Sequence, residues 1–251
     1  MKHFVTPPKL TRGDQVAIVS PSAGLPGVFP WVQELGLRRL QDVFGLVPLE
    51  YPTTRQLQAP LDARAQDVMQ AFANPANKAV FASIGGNDQL QLLKHLDPAV
   101  FLANPKPLFG FSDNTHLHTF LWNLGIPSYY GGAVMTQLAM QQQMHAYTIQ
   151  SLANALFTID EVAIAASATY TDESLNWADP TNLNRARPMV ANEGWHWHGT
   201  ADATGSLWGG CVESLVAQVA AGKYLPSAVA LQDSILYLET AESIPPAWVV
   251  N

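Results

Sequence analysis

The chain has 251 residues, of which 48% are apolar and 13% are charged, and this composition excludes intrinsic disorder, which requires low hydrophobicity and high charge. The formal charge is −7 with no basic cluster, so we expect no nucleic-acid partner, because phosphate binding needs grouped Lys and Arg. No run approaches the roughly 20 apolar residues of a membrane span. Since the N-terminal residues also lack the apolar core of a secretory signal, we expect a cytoplasmic protein without a membrane partner.

Strands and helices alternate along the first 160 residues. Short apolar runs bounded by turn residues predict buried strands at 15–20, 46–51, 78–84, 107–111 and 126–130. Helical periodicity predicts helices at 31–44, 62–73, 89–95, 115–124 and 135–157. The alternation predicts an α/β fold with parallel strands and crossover helices, in which functional groups gather at the carboxyl ends of the strands.

The composition changes near Val162, where Trp, Pro and Gly become frequent. We place an N-terminal α/β domain at 1–160, a linker at 161–185 and a smaller, β-rich C-terminal domain at 186–251. That domain is predicted to hold a helix at 213–221 and a strand at 231–240. An apolar tail follows this strand at 245–251, so we expect the C-terminal domain to be truncated.

The segment GFSDNT at 110–115 stands between a predicted strand and a predicted helix. A glycine two residues before Ser112 allows a sharp turn that exposes the hydroxyl at the helix N-terminus, as in a nucleophile elbow. Free N–H groups and the helix dipole at this position favour a developing negative charge. Alternatively, Ser112 or Asp113 only caps the helix, and the local pattern by itself favours this interpretation, because both residues are common caps.

Three further features could contribute to a site. Gly85 and Gly86 follow a predicted strand, where their amides could approach a ligand or simply form a turn. Glu213 opens a predicted helix and could orient a histidine, although a first-turn acid that only complements the helix dipole is the commoner case. Cys211 is the only cysteine, which excludes an internal disulfide, and a buried apolar role is favoured over a nucleophilic one.

The HxH pair His196 and His198 has no third ligand at a suitable spacing, so we predict no metal site. The interleaved Trp195 and Trp197 favour either an exposed polar strand face or a surface on which a ligand stacks. With Trp177 they are candidates for a stacking wall, and the alternative for each ring is packing in the core or at a domain interface.

Several short motifs occur in a defined order along the chain: GG at 85–86, GFSDNT at 110–115, NWADP at 176–180, NEGWHW at 192–197, GSLWGGCVE at 205–213 and LYLET at 236–240. In this order the sequence resembles the LD-carboxypeptidase family of serine peptidases, the S66 type. The tryptophan-containing motifs are more similar to the branch of the microcin C immunity peptidase than to the murein-recycling branch. The resemblance covers almost the whole chain.

This resemblance implies a serine–histidine–glutamate triad in which Ser112 is the nucleophile and Glu213 the acid. It further implies an oxyanion hole formed by the backbone amides of Gly86 and Asp113, substrate contacts at Gly85 and the three tryptophans, a homodimer, and no metal or organic cofactor. The expected substrate is a small peptide with an amide near a free carboxyl, as in murein, or a peptidyl-nucleotide amide.

One triad member is missing from this sequence. The family histidine lies downstream of the glutamate, whereas the last histidine here is His198, which precedes Glu213. A truncated chain, a natural inactive variant and an earlier residue acting as base are the three explanations, and we favour truncation. The alternative function is a non-catalytic relative that binds the same ligands. A cysteine amidotransferase relative using Cys211 is a weaker alternative.

Overall fold

The computed structural model describes residues 2–199 and 202–241. Its main sheet has five parallel strands in the order β2-β1-β3-β4-β5. The strands are β1 (Gln15–Val19), β2 (Val47–Glu50), β3 (Asn77–Ala82), β4 (Leu108–Gly110) and β5 (Tyr129–Tyr130). The predicted α/β fold with a parallel sheet is therefore confirmed.

Helices cover both faces of this sheet, because the central strands are apolar on both sides. They are α1 (Pro30–Asp42), α2 (Leu61–Ala73), α3 (Pro98–Ala103), α4 (Thr115–Asn123) and α5 (Ala146–Phe157). In β1, Ala17 and Val19 contribute to a buried cluster with α2 and α4, whereas Val16 and Ile18 contribute to a second cluster with α1 and α5. The sheet thus holds the carboxyl ends of its strands between two packed layers.

Two predicted helices differ from the observed ones. Residues 89–95 form a 3-10 helix, and the helix predicted over 135–157 is interrupted. A π-helical turn at Val134–Leu138 ends at an irregular segment, in which Gln142 has a φ of +60°. The guanidinium of Arg39 donates hydrogen bonds to the carbonyl oxygens of Leu138, Met140 and Gln142, and thereby satisfies acceptors in the segment where the helix is interrupted.

Helix α3 is absent from the sequence-based prediction. The side chain of Asp97 caps it by accepting a hydrogen bond from the amide of Ala99 at 2.9 Å, and Pro98 occupies its first turn. Both residues are typical helix-start signals.

After α5 the chain forms a two-stranded antiparallel sheet, β6 (Thr169–Tyr170) with β7 (Val190–Ala191). A second pair follows, in which β8 (Ser206–Cys211) and β9 (Ser234–Glu239) run parallel and α6 (Val212–Ala221) lies between them in the chain. The indole N–H of Trp122 in α4 donates to the carbonyl of Leu207 in β8 at 3.2 Å. This contact joins the β8–β9 pair to the helix that follows Ser112.

Residues 245–251, on which the expectation of an interrupted tail rests, lie outside the described residues. Within the described part of the chain, no helix is both long and apolar enough to cross a membrane.

Candidate functional site

Ser112 lies two residues after the end of β4, at the carboxyl edge of the sheet. It opens a short 3-10 turn, Ser112–Asn114, that continues into α4. Its φ is +60°, a left-handed conformation that costs a residue with a Cβ roughly 1–2 kcal/mol. Such strain at a sharp strand-to-helix turn characterises a nucleophile elbow, because it lifts the hydroxyl clear of the sheet.

The Gly85-Gly86 turn packs directly against this elbow. A Cβ on Gly85 would lie 3.1 Å from Cβ of Ser112, 3.2 Å from its Oγ and 3.5 Å from the amide nitrogen of Asp113. A Cβ on Gly86 would lie 2.0 Å from Oγ of Ser22, so only glycine fits there. Within residues 2–199 and 202–241, the amides of Gly86 and Asp113 donate no hydrogen bond. The turn and the elbow thus offer two unused N–H groups, as an oxyanion hole requires.

The buried carboxylate of Asp113 holds the glycine turn in place through hydrogen bonds to the residues around it. It accepts hydrogen bonds from the hydroxyl of Ser22 and from the amides of Asp88 and Gln89, the latter two at 3.1 and 3.0 Å. Nε2 of His116 lies 3.4 Å from its other oxygen. Burial raises the pKa of Asp113, but the hydrogen bonds from His116, Ser22 and Gln89 lower it by more than burial raises it. The net pKa is therefore below its ordinary value. Asp113 is therefore an ionised anchor between β3 and β4.

A second ion pair extends this anchor to β1. The guanidinium of Arg64 lies 2.7 Å from the carboxylate of Asp88 and donates to the carbonyl of Ser22 at 2.7 Å. Ser22 follows β1, and Asp88 follows the glycine turn. The carboxyl ends of β1, β3 and β4 are thereby joined by one polar network.

Both histidines nearest to Ser112 in sequence already have partners for their two ring nitrogens. Nδ1 of His116 lies 3.0 Å from Nε2 of Gln218, and its Nε2 faces Asp113. His118 contacts the carbonyl of Gly110 at 2.9 Å and the hydroxyl of Ser128 at 2.8 Å. Burial lowers the pKa of His118 to about 4, so its ring is neutral at pH 7. Neither ring has a nitrogen left for the Ser112 hydroxyl.

The other candidate histidines, His196 and His198, are exposed and follow β7 in an irregular segment rather than on a strand. Among the residues that the structure describes, no group of three metal-ligating side chains could hold an ion.

Glu213 lies in the first turn of α6. Its carboxylate accepts a hydrogen bond from the Cys211 thiol at 2.9 Å and from the amide of Ala241 at 3.2 Å. Burial raises the pKa of Glu213, but the hydrogen bonds from Cys211 and from two backbone amides lower it by more than burial raises it. The net pKa is therefore below its ordinary value. Burial and the Glu213 contact raise the pKa of Cys211 to about 11, so the thiol is protonated at neutral pH and unsuited to act as a nucleophile.

Two residues that the sequence analysis did not single out contact the Ser112 backbone. The amide of Ser112 donates to the hydroxyl of Tyr130 at 3.0 Å, and Tyr130 donates to Glu239 at 2.6 Å. The hydroxyl of Thr115 donates to the Ser112 carbonyl at 2.7 Å and accepts from the amide of Cys211 at 2.9 Å. Thr115 and Glu239 both lie in the motifs quoted above, whereas no sequence signal indicates Tyr130.

The three candidate tryptophans are divided between two places. Trp177 packs edge to face on Phe29 at 5.8 Å, and its carbonyl accepts a hydrogen bond from the indole of Trp31. Trp195 and Trp197 are 50% and 81% exposed and contact each other edge to face at 5.8 Å. Within the described residues, Trp177 makes no ring contact with this pair, so the three rings do not form one continuous wall.

Comparisons with known proteins indicate the family and the fold of this chain. Residues 16–131 match the family model described as the LD-carboxypeptidase N-terminal domain. A candidate carboxypeptidase of Treponema pallidum is 30% identical over 238 residues, which cover 92% of this chain and 66% of that protein. The microcin C7 self-immunity protein MccF of Escherichia coli is 25% identical over 186 residues, 70% of this chain and 51% of that protein. The chain thus spans between half and two thirds of the length of these two relatives.

The fold is shared with solved structures. The MccF-like protein from Streptococcus pneumoniae, crystallised in complex with AMP, matches with a TM-score of 0.85 and 28% identity. The match covers 94% of this chain and 75% of that protein.

Proposed function

Because the chain belongs to the LD-carboxypeptidase family of serine peptidases, we propose that it is a serine hydrolase that cleaves an amide through an acyl-enzyme on Ser112. The observation that carries this proposal is the left-handed Ser112 backbone beside two unused amides, those of Gly86 and Asp113. A capping serine needs neither the strained backbone nor the adjacent glycine turn.

In the proposed reaction, the Ser112 oxygen attacks the carbonyl carbon of the scissile amide while a base takes the hydroxyl proton. The carbonyl oxygen becomes an oxyanion, which accepts hydrogen bonds from the amides of Gly86 and Asp113. Collapse of this intermediate breaks the C–N bond, and the leaving amine receives the proton. Water then hydrolyses the ester on Ser112 by the same steps and releases the free acid.

The base must come from outside the residues already engaged in this structure. Glu213 is suited to orient a histidine, because its pKa is lowered and it is ionised at neutral pH. No histidine follows Glu213 in these 251 residues, and both ring nitrogens of His116 and of His118 are occupied. We therefore expect the 251-residue chain not to turn over substrate by the serine–histidine–glutamate mechanism.

The proposed substrate is a murein peptide with a free carboxyl near the amide or a peptidyl-nucleotide. The AMP bound to the Streptococcus pneumoniae relative supports a nucleotide-containing ligand. Trp177 and the exposed pair of Trp195 and Trp197 are the proposed stacking groups, acting as separate surfaces. We further propose a cytoplasmic homodimer, on the family resemblance.

The test is covalent capture of Ser112 by a fluorophosphonate in imidazole buffer, in which imidazole supplies the base. Mass spectrometry should locate one adduct on Ser112 in the parent chain, and Ser112→Ala should abolish it. Ser151→Ala, which changes an exposed serine of α5, is the matched control and should retain it. An adduct that persists in Ser112→Ala would refute the nucleophile assignment.

A non-catalytic binding protein is the second candidate, and the engagement of both nearby histidines favours it. Titration with AMP, followed by NMR, separates the two functions. If AMP shifts the signals of the site while Ser112 remains unlabelled by the fluorophosphonate, the protein is a binding module. Labelling of Ser112 supports the hydrolase.

A further inference from the structure

We propose that Tyr130 and Thr115 are positioning residues that tie the backbone of Ser112 to the end of the β8–β9 pair and thereby hold it in the left-handed conformation. The inference rests on the proposed role of Ser112 as nucleophile. Its structural part concerns the Ser112 backbone and can be tested without any catalytic assay.

The first connection holds the amide of Ser112. This N–H donates to the Tyr130 hydroxyl at 3.0 Å, and the hydroxyl proton is donated in turn to Oε2 of Glu239 at 2.6 Å. Burial and the hydrogen bond to Glu239 raise the pKa of Tyr130, so the phenol keeps the proton that it donates. A hydroxyl that donates to a carboxylate is a stronger acceptor, because hydrogen bonds in a chain polarise one another.

The second connection holds the carbonyl of the same residue. The Thr115 hydroxyl donates to the Ser112 carbonyl at 2.7 Å and accepts the amide of Cys211 at 2.9 Å. Gly210 permits this approach, because a Cβ there would lie 2.6 Å from Oγ1 of Thr115. In these four hydrogen bonds each hydroxyl donates its single proton once. A side-chain contact between Thr115 and Tyr130 also joins the two connections into one network.

Both connections end at the same position of the β8–β9 pair. Cys211 and Glu239 are directly paired in the register of β8 and β9. The paired residues Cys211 and Glu239 therefore fix the amide and the carbonyl of Ser112 together, through Thr115 and Tyr130. A left-handed conformation is unfavourable for serine. Tyr130 and, through Thr115, the amide of Cys211 therefore add constraints from outside the turn to the bond that the Thr115 backbone N–H already makes to the Ser112 carbonyl.

The function of this arrangement is to connect the nucleophile to the element that carries the acid. Glu213 follows Cys211 by two residues and accepts a hydrogen bond from its thiol. The Cys211–Glu239 pair that holds the Ser112 backbone is thus directly connected to the start of α6. Displacement of β8 would move Ser112 and Glu213 together, so their relative position is preserved.

The first test is amide hydrogen exchange of the 251-residue chain, measured residue by residue by NMR. Tyr130→Phe removes only the hydroxyl, because the ring contacts with Phe111, His118 and Tyr237 can all be kept. We expect the Ser112 amide to exchange about tenfold faster or more. The matched control is Tyr129→Phe, which removes a hydroxyl bonded to Lys9 instead, and it should leave Ser112 unchanged.

The second test compares two substitutions of Thr115. Thr115→Val removes the hydroxyl at nearly constant shape, whereas Thr115→Ser keeps it. We expect Val to slow fluorophosphonate labelling of Ser112 by about tenfold and Ser to restore the parent rate. A role in stability alone would not produce this rescue at a temperature where all three proteins are folded.

Three outcomes would overturn the proposal: unchanged exchange of the Ser112 amide in Tyr130→Phe, an increase spread equally over β1 and β3, or, when the parent is labelled at Ser112, the same labelling rate in the Val and Ser variants. Failure of the proposed function gives a different pattern. In that case exchange at Ser112 responds to Tyr130→Phe as expected, while no variant, nor the parent, is labelled at Ser112.

Discussion

Replacement of Asp113 by asparagine tests whether the carboxylate below the elbow holds the site together. Asparagine has the same shape but no charge, so the three hydrogen bonds from Ser22, Asp88 and Gln89 would lose their charge assistance. A hydrogen bond to a charged group contributes about 1 kcal/mol more than a neutral one. Three such bonds give a loss of about 3 kcal/mol in the free energy of unfolding.

A further loss arises at His116. With Oδ1 of asparagine directed to the three donors, its NH₂ group must face Nε2 of the histidine, which now contacts a carboxylate oxygen. Nδ1 of the same ring is beside the amide nitrogen of Gln218, so the proton belongs on Nε2. Two donors would then oppose each other in a buried place, which adds to the loss.

The measurement is urea unfolding of the parent, of Asp113→Asn and of Asp97→Asn. Asp97 is an exposed helix cap, and asparagine caps equally well, so this control should be nearly neutral. The lowered pKa of Asp113 determines how the free energy of unfolding depends on pH. The contribution of Asp113 to this free energy is complete above the unfolded carboxyl pKa of about 4 and is lost as the pH falls below that value. A variant within about 0.5 kcal/mol of the parent at pH 7 would refute the anchoring role.

Three other predictions concern the same region. Ser112→Gly should be at least as stable as the parent in thermal unfolding, because glycine tolerates a φ of +60°, whereas Ser151→Gly in α5 should lose about 0.5–1 kcal/mol; equal losses would contradict the strain at Ser112. Gly86→Ala should lower the free energy of unfolding by about 2–4 kcal/mol, because the new Cβ would lie 2.0 Å from the buried Ser22 hydroxyl oxygen. An unchanged urea midpoint would contradict this expected loss. His118 should remain neutral down to about pH 4 in an NMR titration, so that stability falls as the pH drops from about 6.5 towards 4; a ring that titrates near 6.5 would disprove its burial as a neutral group.

The parallel sheet was predictable because its strands carry a local signal. In β1, four consecutive residues, 16–19, are apolar and buried, as the central strand of a two-faced sheet requires. The elbow was recognisable for a similar reason, since glycine, serine and the helix start are neighbours in sequence. The break after Leu138 was not, because Arg39, which donates to the carbonyl oxygens there, lies about one hundred residues earlier in the chain.

The contacts that join Tyr130 and Thr115 to the β8–β9 pair could not be predicted for the same physical reason. Tyr130 and Glu239 are 109 residues apart, and Thr115 and Cys211 are 96 apart, so no local periodicity connects them. The sequence order of motifs did indicate that the 110–115 and 205–213 segments belong together. It contained no information on which atoms would meet.

These long separations also set an order of events during protein synthesis. At roughly 5–20 residues per second, β9 follows the elbow from the ribosome by about 6–25 s. During that interval the elbow has neither Glu239 nor Cys211 as a partner, although the strands of the main sheet have already been made. A nascent chain that ends before β8 should therefore hold the Ser112 backbone through Tyr130 and Thr115 without Glu239 and Cys211 behind them. The proposed nucleophile thus gains its full set of anchoring contacts late in biosynthesis, after the strands of the main sheet have been made.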